Sequence, residues 1–343
     1  MHRRQALLFL REEGMRIHTK LLLIFLSLSL LPLALIGWFS YTYAASVLQK
    51  TLGLSFQQIA HETVDKVDRG LTSVHENVRI WSDLELMQEV ITGDVDGKIS
   101  SFLMGIGRQT DSFAAIMVSD TQGVIVAADD PSLINVNLGQ TPLFQQALAG
   151  NASVQDAHID PVSGEKVVSF AFPIHARFAP EKVVGLLAAH WRLQEMSNMI
   201  RPSAPSLSGS RILLIGQTGE VLADSSQETD TIVQPRNSIL EGFESARLAQ
   251  QRQHGYRLEQ NADKRRFIVG YDAAQGYRGF PGFGWGVLVL QDATSALAPI
   301  QRLNGGAHRG RARVRRRGFR VLPVEPSYHR PGVAHRRSGP TRG

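Results

Sequence analysis

Apolar side chains recur with heptad spacing along the segment from residue 45 to residue 90. The separations alternate between four and three residues, and most of the intervening side chains are polar or charged. This spacing predicts a long amphipathic helix, which Leu52, Phe56 and Ile59 extend upstream on the same face. The stripe consists of Ala60, Val64, Val67, Leu71, Val74, Val78 and Trp81. At 1.5 Å per residue this helix is about 60 Å long, so we expect it to be a spine on which the rest of the chain packs.

An uncharged apolar run, Leu21 to Phe39, precedes this helix. Its nineteen residues are about the length that an α-helix needs to cross the hydrocarbon core of a bilayer. Arg16 and Lys20 lie before the run, and positively charged flanks stay in the cytoplasm. The pattern predicts a cytoplasmic N-terminus over 1–20, with Met15 as an alternative start, and a transmembrane helix over 21–44. The remaining chain would lie outside the inner (plasma) membrane. A cleaved signal peptide and a buried core helix are the alternatives.

Strand-like runs separated by turn residues follow the spine helix. A hairpin is predicted at Ala114–Ser119 and Val124–Ala128, because the turn between them places Gly123 where positive φ is needed. A short helix is predicted at Thr141–Leu148. The remaining predicted strands of this unit are Ser153–Ile159, Lys166–His175 and Lys182–Leu193.

The same order of elements restarts 96 residues later. Arg211–Ile215 and Glu220–Ala223 repeat the hairpin, with Gly219 in the place of Gly123. A helix at Ser238–Gln250 and strands at Arg265–Tyr271 and Gly284–Gln291 complete the second unit. The fold class is therefore predicted as α+β, with two tandem antiparallel-sheet units beside one long helix. The predicted boundaries are 45–303 for the whole region, 45–92 for the spine helix, and 110–200 and 211–303 for the two units.

The net charge of +6 is distributed unevenly. Residues 304–343 hold eleven arginines and one acid, Glu325, and residues 1–20 are also basic, so the central part is mildly acidic. The tail has no hydrophobic periodicity, which is typical of a disordered basic segment. A changed reading frame in a GC-rich gene would look the same. We hypothesise that a frameshift near residue 303 has removed a second membrane span and an output domain.

Residue usage and motifs argue against catalysis by this chain. The sequence has no cysteine, which excludes disulfides and thiolate metal sites. It has no glycine-rich phosphate loop at a strand–helix junction, no GxSxG and no HExxH. His61, His75 and His175 have no partner at the spacing of metal ligands. We predict no enzymatic activity, no catalytic residue, no metal and no cofactor. A kinase or cyclase output would lie in the lost C-terminal part.

The anchor, the long helix and five further segments carry a resemblance to a known family. These segments are VSDTQGVIVAADD (118–130), TPLFQQALAGNASVQD (141–156), KVVSFAFPIHA (166–176), VVGLLAAHWRLQEM (183–196) and GFGWGVLVLQDATSALAPIQRL (282–303). Their order resembles the double Cache region, the tandem PAS-like extracytoplasmic sensor of bacterial chemoreceptors, histidine kinases and diguanylate cyclases. The resemblance implies that a small ligand binds in the membrane-distal unit, between the curved sheet and the loop and helix above it.

The resemblance also bears on the chemistry of the ligand. Members that bind amino acids carry an Arg-x-Trp-Tyr pattern in the short helix before the third strand, where this sequence has Thr141–Phe144. Their aspartate that pairs with the ligand ammonium is replaced here by the region of Ala189 and His190. A zwitterionic amino acid is therefore not the expected ligand, and the ligand class stays open.

Candidate ligand-binding residues follow from strand alternation. His190 and Arg192 lie two residues apart at the end of the apolar face of Lys182–Leu193, where they could hold a carboxylate. Phe144, Ser169 and Asp160 are predicted to line the same cavity. The alternative is that His190 is a core histidine, Arg192 points to solvent, and the other three residues serve packing and turns.

We predict that the chain is a membrane-anchored extracytoplasmic sensor of a bacterial signal-transduction receptor. Its expected partners are a small organic ligand such as a carboxylate, the inner membrane, and a second copy that contacts Leu48–Ile59 of the spine helix. Nucleic acid is not expected. An anchored periplasmic ligand-binding or scaffold protein without output, and a binder of anionic surfaces through the basic tail, remain as alternatives.

Overall fold

The computed structural model describes residues 17–161, 163–207, 209–226 and 236–296. The basic N-terminus up to residue 16 and the arginine-rich tail at 304–343, with the hypothesised frameshift, lie outside the described residues.

One α-helix, α1 (Ile17–Ser82), contains both the apolar run and the heptad stripe. Its 66 residues correspond to about 100 Å. The large apolar side chains from Leu21 to Phe39 are at least 47% exposed, and α1 is the one described helix that is long and apolar enough to cross a membrane. After Ser82 the chain continues as a 3-10 helix, Glu85–Thr92. The α-helix therefore ends earlier than the predicted segment 45–92.

The heptad stripe of α1 faces the interior of the chain's own fold. Its fully buried members are Ala60, Val64, Val67, Leu71 and Val78, and its partly buried members are Val74 and Trp81. From Val67 to Trp81 the stripe therefore packs within the chain, as expected of a spine on which the rest of the chain packs. Farther upstream the prediction differs, because Phe56 is only 1% exposed and Leu52 and Ile59 are partly buried against the same core. The apolar positions of 48–59 are therefore largely occupied by the chain itself, and a dimer through this helix stays a prediction.

The first unit contains a five-stranded antiparallel sheet. Its strands are β1 (Phe113–Ser119), β2 (Ile125–Ala128), β3 (Ser153–Ile159), β4 (Lys166–Ala176) and β5 (Ala179–Arg192), in the spatial order β2-β1-β5-β4-β3. Helix α2 (Lys98–Gln109) precedes β1, and a 3-10 helix (Pro131–Leu133) and α3 (Pro142–Leu148) lie between β2 and β3. One sheet face packs on α1, and the opposite face packs under α3.

The second unit repeats this arrangement. After α4 (Gln194–Ile200) and a 3-10 turn (Arg201–Ser203), its strands are β6 (Ser210–Ile215), β7 (Val221–Asp224), β8 (Gly255–Gln260), β9 (Arg266–Ala273) and β10 (Gly286–Asp292). Their order is β7-β6-β10-β9-β8, and α5 (Glu244–Gln250) packs on this sheet. The edge strand β8 was not predicted, because it has only two apolar side chains, Tyr256 and Leu258, and none of its residues is buried.

The two hairpin turns show that the sequence repeat is also structural. Gly123 and Gly219 have φ of 85° and 87°, which favours glycine over residues with a Cβ. The residue after each glycine forms an antiparallel bridge to an asparagine, Val124 to Asn137 and Glu220 to Asn237. The prediction of two tandem antiparallel α+β units is confirmed.

Candidate ligand-binding site

A cavity of about 390 Å³ lies in the first unit, between the sheet face that α1 does not cover and the segment that runs from Leu133 to Phe144. Cavities of roughly 300–1,000 Å³ are typical of small-molecule sites. Of its 21 lining residues, 14 have apolar side chains, so most of the wall is suited to an apolar body.

Small side chains on the sheet explain why this space stays open. Across β1, β5 and β4, Ala115 stands in register with His190, which stands in register with Ser169. In the next inward-facing row, Ala188 lies opposite Ala171. These alanines and the serine line the cavity without filling it, while Phe144 of α3 contributes to its cover.

Asp160 and His190 form a buried polar pair at one end of the cavity. Nδ1 of His190 lies 3.2 Å from Oδ1 of Asp160, which is within ion-pair distance. The two groups are not aligned for a hydrogen bond, so both atoms are buried without a hydrogen-bond partner among the described residues. His190 is only 8% exposed and Asp160 only 1%. Both side chains line the cavity.

Asp160 is held in its ionised form. Its Oδ2 accepts hydrogen bonds from the backbone N–H and the hydroxyl of Ser163, at 2.8 and 2.7 Å, in the turn after β3. Burial by itself raises the pKa of Asp160, but His190 and the two Ser163 donors outweigh it, and the net pKa lies well below the usual range of an aspartate. The cavity therefore contains one fixed carboxylate charge.

A second imidazole, that of His158, lies at the same polar end. Its Nδ1 is 2.9 Å from the backbone carbonyl oxygen of Asp156, which can only accept, so Nδ1 carries the proton. In the neutral ring Nε2 is then an acceptor, and the Ser169 hydroxyl lies 3.4 Å from it. The rings of His158 and His190 meet edge to face, with centroids 6.4 Å apart.

The structure brings together four of the five residues predicted for this site, namely His190, Asp160, Ser169 and Phe144. Arg192 lies elsewhere. Its Nε is 2.6 Å from Oε2 of Glu165 and its Nη1 is 2.6 Å from Oδ1 of Asp111. As the last residue of β5, Arg192 uses its long side chain to bridge the chain before β1 and the β3–β4 turn. Among the described residues that line the cavity, none is a lysine or an arginine.

Sequence reasoning missed His158 and Gln155, which both line the cavity. The pairing of β3 with β4 shifts register between these two residues, so the simple alternation of faces does not hold there. The available signal was that both residues are polar within a predicted strand. The shift in strand pairing that turns both toward the cavity cannot be read from the sequence.

Comparison with known families agrees with this architecture. The family model described as Cache domain matches residues 44–300, which is most of the chain. The chain belongs to the Cache domain family, and the resemblance to the double Cache sensor region is confirmed. No curated protein matches the sequence.

Solved structures show the same fold. The sensory domain of the Campylobacter jejuni chemoreceptor Tlp3 with isoleucine bound aligns with a TM-score of 0.55 at 10% identity, over 74% of this chain and 98% of that one. The ligand-binding domain of the same chemoreceptor in complex with 4-methylisoleucine aligns with a TM-score of 0.56 at 12% identity, over 74% of this chain and 95% of that one. The extracellular ligand binding receptor from Desulfohalobium retbaense aligns with a TM-score of 0.52 at 12% identity, over 69% of this chain and 40% of that one. At these identities the likeness shows the fold alone.

Proposed function

We propose that this chain is the membrane-anchored, extracytoplasmic sensor part of a bacterial signal-transduction receptor, and that the cavity of its first unit binds a small organic molecule. The observation that carries the proposal is the polar end of the cavity. Buried polar atoms in native proteins nearly always have a hydrogen-bond partner, yet His190 Nδ1 and Asp160 Oδ1 lack one within the described chain. A ligand that displaces the imidazole slightly can supply the missing partners.

The lining residues indicate the class of ligand. The wall is mostly apolar, and among the described residues that line it the one fixed charge is the carboxylate of Asp160. A ligand carboxylate would meet no permanent cation, because Arg192 is engaged by Glu165 and Asp111 outside the cavity. It would also be desolvated beside a like charge, which is unfavourable. We therefore propose a compact apolar molecule whose head group is uncharged or cationic, in preference to a carboxylate.

The anchor of the sensor is the first part of α1. Its apolar side chains from Leu21 onward are not covered by the rest of the described chain, which suits them to a lipid environment. Trp38 and Tyr43 lie at the end of the run, where aromatic side chains favour the membrane interface. With Arg16 and Lys20 on the cytoplasmic side, both sheet units lie outside the membrane.

The orientation can be measured by cysteine labelling, because the natural sequence has no cysteine. Ser73→Cys places a single thiol on an exposed position of α1 beyond the apolar run. We expect a membrane-impermeant maleimide to label it in cells with an intact inner membrane and a permeabilised outer membrane. Labelling that occurs only after the inner membrane is lysed would contradict this topology.

Ligand binding can be tested with molecules that share a skeleton and differ in the head group. The melting temperature of the purified full-length chain is measured with isoamylamine, isoamyl alcohol and isovalerate, and with phenethylamine, phenethyl alcohol and phenylacetate. For at least one of the two carbon skeletons, we expect the amine or the alcohol to raise the melting temperature and the matching acid to have no effect on it. Stabilisation by the acids alone would contradict the proposed head group, and a screen without any shift would contradict binding of this class of molecule.

A further inference from the structure

Within the described part of the chain, a hydrogen bond joins the first unit directly to the second. The indole Nε1–H of Trp285, next to β10, donates to Oδ1 of Asp156 on β3 at 2.8 Å. The two residues are 129 positions apart in the chain. Trp285 is fully buried, and burial raises the pKa of Asp156 despite the hydrogen bonds from Ala157 and Trp285. The Asp156 carboxylate is partly buried, and the same oxygen also accepts the N–H of Ala157, so the loss of the indole donor removes one of its two hydrogen bonds and frees the side chain to move.

Asp156 also contacts, through its backbone, a residue that lines the ligand cavity. Its carbonyl oxygen accepts the Nδ1–H of His158, and the His158 ring lines the cavity with Nε2 near the Ser169 hydroxyl. The side chain and the carbonyl of one residue thus connect the second unit to the cavity of the first. The residue whose side chain is held by Trp285 is therefore the same residue whose carbonyl holds the Nδ1–H of His158.

We propose that Trp285 is a positioning residue for the ligand site: through Asp156 it fixes the orientation and tautomer of His158, and through the same contact it reports occupation of the cavity to the second unit. Only the second part rests on the proposed ligand-binding function. Coupling between two sites is reciprocal, so a change at Trp285 alters the cavity and a ligand in the cavity alters Trp285.

Trp285 is well placed to pass a displacement onward. Its indole stacks on Phe283 at a centroid distance of 5.3 Å, and Phe283 contacts Phe280 at 5.5 Å. Phe280 in turn lies 5.0 Å from the imidazole of His75 on α1. A contiguous row of rings therefore leads from the cavity-linked bond to the helix that continues to the apolar run. Packed aromatic contacts of this kind shift as a unit, since protein interiors leave little free volume.

The positioning role can be tested without a ligand. In the full-length chain in detergent, labelled with ¹⁵N-histidine, the Nδ1 and Nε2 chemical shifts of His158 report its tautomer. We expect the Nδ1–H tautomer in the wild type and a loss toward a mixture of tautomers in Trp285→Phe, which keeps the ring but removes the donor. Asp156→Asn keeps an acceptor oxygen and should retain the wild-type signature, whereas Asp156→Leu should lose it.

Trp81→Phe is the matched control. Trp81 packs edge to face on Phe113 in the first unit, and its indole N–H donates no hydrogen bond to any described residue, so the same substitution there removes similar ring area. We expect wild-type His158 shifts in this variant. Unchanged His158 shifts in a folded Trp285→Phe variant, or an equal change in both tryptophan variants, would overturn the proposal.

A second measurement leaves Trp285 intact and changes His158 instead. It tests the link between the two residues even if Trp285→Phe does not fold. His158→Phe should shift the indole N–H resonance of Trp285, and no shift would contradict the link. The ligand step is measured separately: whichever amine or alcohol stabilises the wild type should also shift that resonance. If a compound stabilises the chain and leaves the indole unchanged, the reporting role is wrong. If no compound binds, the proposed function fails while the tautomer experiment still decides the positioning role.

Discussion

The close packing of α1 on the second sheet depends on the absence of a side chain at Gly270. A Cβ atom at this position of β9 would lie 2.2 Å from the carbonyl carbon of Phe56 and 2.4 Å from the backbone nitrogen of Gln57. Ordinary contacts between carbon atoms are about 3.5–4.0 Å. Because both neighbours are helix backbone, no rotamer change can relieve the clash. Gly270→Ala must therefore displace α1 from the sheet by more than about 1 Å.

The magnitude follows from the cost of overpacking. Extra methyl groups in a well-packed core cost about 1–3 kcal/mol, and a clash with rigid backbone belongs at the upper end. At roughly 2–4 °C per kcal/mol for a domain of this size, we expect the melting temperature of Gly270→Ala to fall by about 6–12 °C. The assay is thermal unfolding of the full-length chain in detergent, followed by circular dichroism.

Gly279→Ala is the control, because a Cβ there meets nothing within 4 Å. A glycine-to-alanine change at an open position lowers the entropy of the unfolded chain and stabilises by about 0.4–1 kcal/mol. We expect this variant to melt at or slightly above the wild-type temperature. If the two variants melt together, α1 does not approach the second sheet as closely as described.

Three further predictions concern charged groups. The hydrogen bond to Asp272 raises the pKa of His61 above 6.5. His61 therefore stabilises the fold below that pH and loses this contribution as the pH rises through its folded pKa. In thermal melts from pH 6 to 9, we expect the melting temperature of His61→Gln to decline less than that of the wild type. The pKa of Asp160 lies below its ordinary 3.8, so its contribution to stability is present above that value and is lost on acidification. Asp160→Asn should destabilise the chain at neutral pH, and thermal melts carried from neutral pH to below pH 3.8 should show a smaller loss of stability than in the wild type. Arg192→Ala should cost about 1–2 kcal/mol in denaturant unfolding, since it removes two partly exposed ion pairs. A steeper pH dependence in either of the first two variants, or loss of folding in the third, would contradict these assignments.

The elements that depend on local pattern were predictable from the sequence. The heptad spacing located the helix and its buried face, and the glycine turns located both hairpins, because each of these is set by residues close together in the chain. The edge strand β8 was not predicted, since it is short, has only two apolar side chains and buries none of its residues.

The candidate site was only partly predictable. Alternation along β5 placed His190 on the correct face, but the same rule put Arg192 beside it, although the arginine side chain is long enough to reach Glu165 and Asp111. His158 was missed because of an irregularity in strand pairing. The contact between Asp156 and Trp285 joins residues of different units and has no local signal at all.

The most direct test of the central claim is a calorimetric titration of the compound that stabilises the chain most. With the wild type we expect one molecule bound per chain. His190→Phe, which removes the imidazole from the cavity, should weaken binding about tenfold or more, or roughly 1.4 kcal/mol. Arg192→Ala, outside the cavity, should bind within about twofold of the wild type, well under that energy. Undiminished binding by His190→Phe, together with loss of binding in Arg192→Ala, would place the ligand elsewhere and contradict the account.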